Sequence, residues 1–275
     1  MPLENCLVKA WGPGDEMPVH PLLFDIGGLK VHSYGLMVAV GFLAALGWVR
    51  YQAPKEGLPA AAMIDLAFWL MLAAIVGSRL AFIAVEWEVY ARNPAAIFKI
   101  WEGGLVFYGG LIACIFTAWF YLKRRAWSFW KVADVFMPGV ALGHAFGRIG
   151  CFLAGCCYGR GCDPKAWYAA HYPGHAESLA PSGIPLYPVQ LFEAGANLAI
   201  FAFLAYYSRK KAFDGQILLL YLITYALSRI VLELFRGDAE RGYVIQGWLS
   251  TSQFLGAILL LAALAVLLLR RGRSS

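Results

Sequence analysis

VADVFMPGVALGHAFGRIGCFLA, Val132 to Ala154, reads as a membrane span, yet it carries Arg148 near its end. A span needs about 20 mostly apolar residues, because the hydrocarbon core is about 30 Å thick. A guanidinium at that depth costs from about 3 to more than 10 kcal/mol, so an arginine there marks a function or one half of an internal ion pair. In the first case the natural partner is an anionic lipid headgroup. In the second it is a carboxylate on a neighbouring helix.

The rest of the chain has the same character. Its 275 residues are 60% hydrophobic and only 15% charged, which excludes an ordinary soluble domain. Further apolar runs fall at Ser33–Val49, Met63–Val85, Leu105–Leu122, Val189–Tyr207, Gln216–Leu234 and Leu249–Leu269. The expectation is an all-α polytopic membrane protein with about seven transmembrane helices. Residues 1–275 form a single integral membrane domain, and the proline-rich segment 155–188 forms an extracytoplasmic loop or cap between the fourth and fifth spans. No basic stretch precedes an early apolar run and no small-residue cleavage site follows one, so no removable signal peptide is expected.

Lys and Arg in alternate loops set the orientation. One set of loops holds twelve: Arg50, Lys55, Lys123, Arg124, Arg125, Lys131, Arg209, Lys210, Lys211, Arg270, Arg271 and Arg273. The other set holds eight: Lys9, Lys30, Arg92, Lys99, Arg160, Lys165, Arg236 and Arg241. The N-terminus is therefore expected outside and the C-terminus in the cytoplasm. On this reading the net charge of +6 records topology and attraction to anionic membrane lipids, with no nucleic-acid partner implied.

The three remaining basic residues, Arg79, Arg148 and Arg229, lie in the last thirds of the outward-running spans. Polar residues cluster at the starts of the inward-running ones: Ser33 and Tyr34, then Tyr108, then Gln190 and Glu193. Both sets fall in one layer near the outer leaflet, which favours a single polar site. Residues four apart share a helix face. His144 pairs with Arg148 in this way, and Arg229 with Glu233, with Arg236 continuing that stripe. Gln190, Glu193 and Asn197 form another. Glu193 and Glu233 read first as neutralising partners of the arginines. Gly143 and Gly147 have the spacing for close helix approach, and Gly103, Gly104, Gly109 and Gly110 bracket Tyr108.

His171 and His175 lie in the 155–188 loop beside Cys151, Cys156, Cys157 and Cys162. No Cys-x2-Cys pair exists, so no metal site is expected; packed thiols, or a disulfide such as Cys157–Cys162, fit an outward-facing compartment. There is no nucleotide loop, no acidic metal cluster and no internal repeat, and no cofactor is expected. Two other classes remain open on the residues alone: an outward-facing transporter of small anions, and a zinc-dependent intramembrane hydrolase.

Taken together, VHSYGLMVAVGF (Val31–Phe42), GSRLAF (Gly77–Phe82), WEGGLVFYGGLI (Trp101–Ile112), GRIGCFLAGCCYGR (Gly147–Arg160), LYPVQLFEA (Leu186–Ala194), SRIVLELFRGD (Ser228–Asp238) and LSTSQ (Leu249–Gln253) resemble the prolipoprotein diacylglyceryl transferases of bacteria. The resemblance implies a multi-pass enzyme of the cytoplasmic (inner) membrane. Such an enzyme moves the diacylglyceryl group of phosphatidylglycerol to the lipobox cysteine of prolipoprotein signal peptides and releases glycerol 1-phosphate, with its active site toward the extracytoplasmic leaflet. It also implies that Arg148 binds the headgroup, that Arg229 holds the departing phosphate, and that Tyr34, Arg79, Gln190, Glu193 and Glu233 surround the lipid. The chain departs from the family pattern in two ways. Tyr108 stands where a histidine, often proposed as the base, is usual, and Cys151 and Cys156 stand where Asn and Glu are usual. With its pKa near 10, tyrosine is a poor base at neutral pH. His144, one turn before Arg148, is the candidate to supply an imidazole, with Tyr108 as a hydrogen-bond donor.

Overall fold

The computed structural model describes residues 19–26, 29–98, 104, 106–173, 178, 180–237, 243–245 and 249–274. Cys6, Lys9, Lys99, Gly103, Leu105, His175, Asp238 and Arg241 lie outside the described residues. The chain is mostly helical: α1 (Ser33–Gln52), α2 (Ala60–Val85), α3 (Trp87–Arg92), α4 (Phe107–Arg125), α5 (Phe129–Leu153), α6 (Val189–Tyr207), α7 (Gln216–Leu232) and α8 (Thr251–Ser274). Three antiparallel two-stranded ribbons accompany the helices. They pair β1 (Leu22–Ile26) with β2 (Leu29–His32), β3 (Ala170–His171) with β4 (Pro185–Leu186), and β5 (Tyr243–Ile245) with β6 (Leu249–Ser250).

Six of the described helices are long and apolar enough to cross a membrane, so the protein is multi-pass. These six match six of the seven runs read from the sequence. The seventh, Leu105–Leu122, forms α4, whose last turn is Lys123, Arg124 and Arg125. Those charges shorten its apolar stretch. Large apolar side chains such as Leu43, Phe116, Leu261 and Leu268 are exposed on the helices, as a lipid solvent requires and water would penalise.

The described chain divides into two compact units, one of residues up to Ala45 and from Met137 onward, the other Leu46–Phe136. The second unit packs Val49, Met63, Leu66, Tyr121, Leu122, Val132 and Val135 into a core. Polar groups there find backbone partners: the Tyr121 hydroxyl donates to the Ala62 carbonyl at 2.7 Å, and Trp48 Nε1 to that of Val135 at 3.0 Å. Its helices α2 and α4 cross at Gly77 and Gly109, where a Cβ on either would run into the other's backbone carbonyl. In the first unit Ala141, Ile200, Leu204, Ile217 and Tyr221 join α5, α6 and α7. Val19, Phe152, Ala170, Tyr172, Ala180 and Leu186 form a smaller core under the 155–188 loop. Of the glycines expected to bring helices together, Gly143 faces Gly41 of α1, whereas a Cβ at Gly147 would meet open space.

Gly109→Leu should therefore break the α2–α4 crossing and lower the thermal midpoint in detergent, because backbone cannot yield and overpacking costs about 1–3 kcal/mol. Gly47→Leu, on an exposed face with no atom within 4 Å of the new Cβ, should leave the midpoint unchanged.

Candidate active site

Helical periodicity assembles an ion cluster in the first unit. Three residues come from α5 and α6: His144 and Arg148 share a face of α5, and Glu193 lies in the second turn of α6. On α7, Arg229 is followed by a 3-10 turn, Glu233–Phe235, which places Glu233 one turn past Arg229 and turns the chain back at Arg236. Glu193 is 4% exposed, and both of its oxygens are engaged. Oε2 lies 2.5 Å from Arg148 Nε, while Oε1 lies 2.7 Å from one nitrogen of Arg229 and 3.3 Å from one of Arg236. The other terminal nitrogen of Arg229 pairs with Glu233 at 2.9 Å and donates to the Ser252 hydroxyl of α8 at 3.3 Å. Among the described residues, three guanidinia thus meet two carboxylates.

The loop after α5 is stitched to the end of α7. The Arg160 amide donates to the Phe235 carbonyl at 2.9 Å, and Gly159 bridges Arg236. Glycine is required at Gly159 and Gly237, since a Cβ at either would strike the other strand's or Tyr187's backbone. This close approach fixes where Arg236 enters the cluster.

Other expected residues fall in three places. Tyr34 of α1, half exposed, packs on Gly150 of α5. Gln190 is buried, and its Nε2 donates to the Cys156 carbonyl at 2.7 Å. Arg79 and Tyr108 belong to the second unit. The buried Arg79 guanidinium donates to the carbonyls of Ala96 at 2.7 Å, Ile97 at 3.1 Å and Gly104 at 3.3 Å, anchoring the chain ahead of α4. Tyr108 is exposed in the first turn of α4.

On the α5–α7 side of the cluster, His144, Asn197, Tyr225, Ser228 and Leu232 join Glu193 and Arg229 around a small recess with room for little more than a water molecule. His144 Nε2 accepts from Arg148 Nε at 3.3 Å, and its ring lies against Tyr225 with centroids 5.3 Å apart. Asn197 Nδ2 caps the Glu193 carbonyl at 2.8 Å. Tyr225, Ser228 and Ser252 were missed in the sequence reading, although Tyr225 lies one turn before Arg229 and Ser252 inside LSTSQ.

The cysteines also converge. Cys151 ends α5, Cys156 and Cys157 follow in the turn, and their three Sγ atoms lie within 4.8 Å of one another, unbridged. Cys157 holds a left-handed backbone, φ 58°, which non-glycine residues seldom adopt. Its thiol is pushed well down, first by its interaction with the thiols of Cys151 and Cys156 and then because Arg236 and Arg148 favour the thiolate. The Cys156 thiol, as a donor in the same trio, is pushed up. Cys-x2-Cys was the spacing sought in the sequence, whereas here a turn beyond a helix end gathers Cys-x4-Cys-Cys.

In a multi-pass membrane protein, the described residues thus bring three arginines and two carboxylates together at one end of the helices. A family model for prolipoprotein diacylglyceryl transferase matches residues 21–269, and the chain belongs to that family. It is 36% identical over 254 residues to the phosphatidylglycerol–prolipoprotein diacylglyceryl transferase of Clostridium tetani (92% of this chain, 98% of the relative). It is 34% identical over 243 residues to the enzyme of that name numbered 2 from Clostridium perfringens (88% and 92%). The Legionella pneumophila (strain Corby) enzyme is 35% identical over 248 residues (88% and 94%).

Glu193→Gln should destabilise the protein by about 3–5 kcal/mol, the usual cost of removing one partner from a buried ion pair. Thermal unfolding in detergent measures it. Glu233→Gln should cost less, because Arg229 keeps Glu193.

Proposed function

We propose that this protein transfers the diacylglyceryl group of phosphatidylglycerol to the lipobox cysteine of prolipoprotein signal peptides and releases glycerol 1-phosphate, the first step of lipoprotein maturation. The observation that carries the reading is the ion cluster of Arg148, Arg229, Arg236, Glu193 and Glu233, three guanidinium forks gathered on shared carboxylates. In the reaction a thiolate sulfur forms a bond to the glyceryl carbon as the carbon–oxygen bond to phosphate breaks. Negative charge then accumulates on the phosphate. Planar guanidinium forks bind phosphate oxygens at two points and stay charged at any working pH. Arg148 holds the headgroup phosphate, and Arg229 stabilises it as it departs.

Both arginines already bind Glu193, so the lipid phosphate takes over nitrogens that the carboxylate holds at rest. Glu193 and Glu233 keep the guanidinia neutralised and aimed until then. Tyr34 and Gln190 border the lipid. Arg79 supports the start of α4, where Tyr108 offers its hydroxyl. His144 is best read as a positioning residue for Arg148, because its Nε2 accepts from that guanidinium. The membrane is the bacterial inner membrane, the C-terminus is cytoplasmic, and the site opens to the extracytoplasmic leaflet.

Purified protein incubated with phosphatidylglycerol and a lipobox peptide should raise the peptide mass by one diacylglyceryl group. Arg148→Ala and Arg229→Ala should each lower the rate at least about 100-fold, as loss of a transition-state charge contact costs about 3 kcal/mol or more. Lysine at either position should rescue poorly. His144→Gln, which keeps an acceptor for Arg148, should retain the wild-type pH profile; a loss restored at high pH would make His144 the base.

For topology, an impermeant thiol reagent on intact cells should label a cysteine introduced at Ser178 and spare one introduced at Ser274. The reverse pattern would overturn the outward-facing site.

A further inference from the structure

We infer that Cys151, Cys156 and Cys157 form a three-sulfur site for a zinc-class cation, whose fourth position takes the sulfur of the substrate cysteine. The identity of that fourth ligand rests on the transferase reading; the metal site itself does not.

The geometry suits such an ion. Zinc–sulfur bonds of about 2.3 Å at tetrahedral angles put ligand sulfurs about 3.8 Å apart. The three Sγ atoms, all within 4.8 Å of one another, need only small side-chain shifts to reach that spacing. The frame holding them is fixed from several directions. The Cys156 amide donates to the Cys151 carbonyl at 3.0 Å, the Gly155 amide to that of Phe152 at 3.0 Å, and Gln190 Nε2 to that of Cys156 at 2.7 Å. Within this frame Cys157 is kept at φ 58°. A strained non-glycine backbone persists only where its surroundings over-determine it, and such strain gathers at functional sites.

Charge and softness choose the occupant. Thiolates are soft ligands that select closed-shell zinc-class ions over hard cations. Three thiolates around a divalent cation leave one net negative charge, and Arg148 and Arg236 lie within electrostatic reach of the sulfurs. Arg148 and Cys151 are three apart on α5, hence on one face. The sulfur site therefore adjoins the anion site.

The reaction has a use for it. A thiol must ionise before it alkylates. The basic groups around the ion cluster are engaged: Glu193 and Glu233 bind arginines, and His144 faces Arg148. A thiol that binds a divalent metal loses its proton outright. On this site the substrate S–H gives its proton to water as its sulfur is bound. The sulfur then forms the bond to the glyceryl carbon, the carbon–oxygen bond to phosphate breaks, and the departing glycerol phosphate takes up a proton from water in turn. No group is oxidised or reduced.

The test uses full-length protein in detergent under a phosphine reductant, with cobalt(II) as the probe. One equivalent should bind and give sulfur-to-cobalt charge-transfer absorption of a strength expected for three thiolates. Adding a lipobox peptide without lipid should raise that absorption, and its Cys→Ser form should not. Cys157→Ser alone should weaken cobalt binding about tenfold or more; the triple serine variant should abolish it, while Cys114→Ser and Cys162→Ser leave it intact. Failure of the reduced protein to bind an equivalent, or absorption that survives in the triple variant, overturns the metal site. So does a disulfide that joins two of the three cysteines and resists the reductant. If cobalt binds but the peptide leaves the spectrum unchanged, the metal site stands and the fourth-ligand assignment falls. Peptide entering the cobalt site without any transfer from phosphatidylglycerol would instead count against the transferase reading.

Discussion

One carboxylate organises the first unit. Glu193 is shared by Arg148, Arg229 and Arg236, and in a medium without water neither sign of charge is tolerable alone. α5 and α6 must therefore lie together, and the end of α7 must turn back through a short 3-10 segment so that Arg236 can join. The loop after α5 follows from the same demand, because its contact with Phe235 and Arg236 holds that turn in place.

On the proposed reading, this arrangement makes Glu193 a surrogate for the substrate. Its carboxylate occupies the guanidinium nitrogens that a phosphate would use, so the arginines are aligned before lipid arrives and need little reorganisation when it does. Glu233 and Ser252 hold the second nitrogen of Arg229, restraining that fork while Glu193 gives way. Preorganised charge of this kind is where enzymes gain most of their electrostatic advantage.

The cluster was legible in the sequence because two simple periods coincide. The 3.6-residue turn puts His144 with Arg148 and Arg229 with Glu233, and alternating helix direction puts the ends of α5 and α7 level with the start of α6. Arg79 was grouped with Arg148 and Arg229 by the same rule, but carbonyls left by the turn at Pro94–Phe98 take its guanidinium, and no helix pattern encodes a loop's carbonyls. Gly147 shared its spacing with Gly143, but spacing does not say which face meets a neighbour. The cysteines were grouped in the sequence and assigned to packing or a disulfide, but the convergence of three sulfurs was not legible, because two lie beyond the helix end, where a turn and one left-handed residue, not a periodicity, decide where a side chain points. α4 was read as a span from its apolar run, and its basic last turn is what sets it apart from the other six.

Sharing Glu193 among residues separated along the chain also bears on biosynthesis. Arg148 enters the membrane with α5 before its counterion exists, because Glu193 follows only after the 155–188 loop, and Arg229 comes later still. An unpaired guanidinium resists burial for as long as it waits. α5 and α6 are thus favoured to insert as one hairpin, neutral across its seam, with α7 docking afterward onto a carboxylate already in place. The length of the loop between α5 and α6 thus sets how long the first guanidinium waits for its counterion.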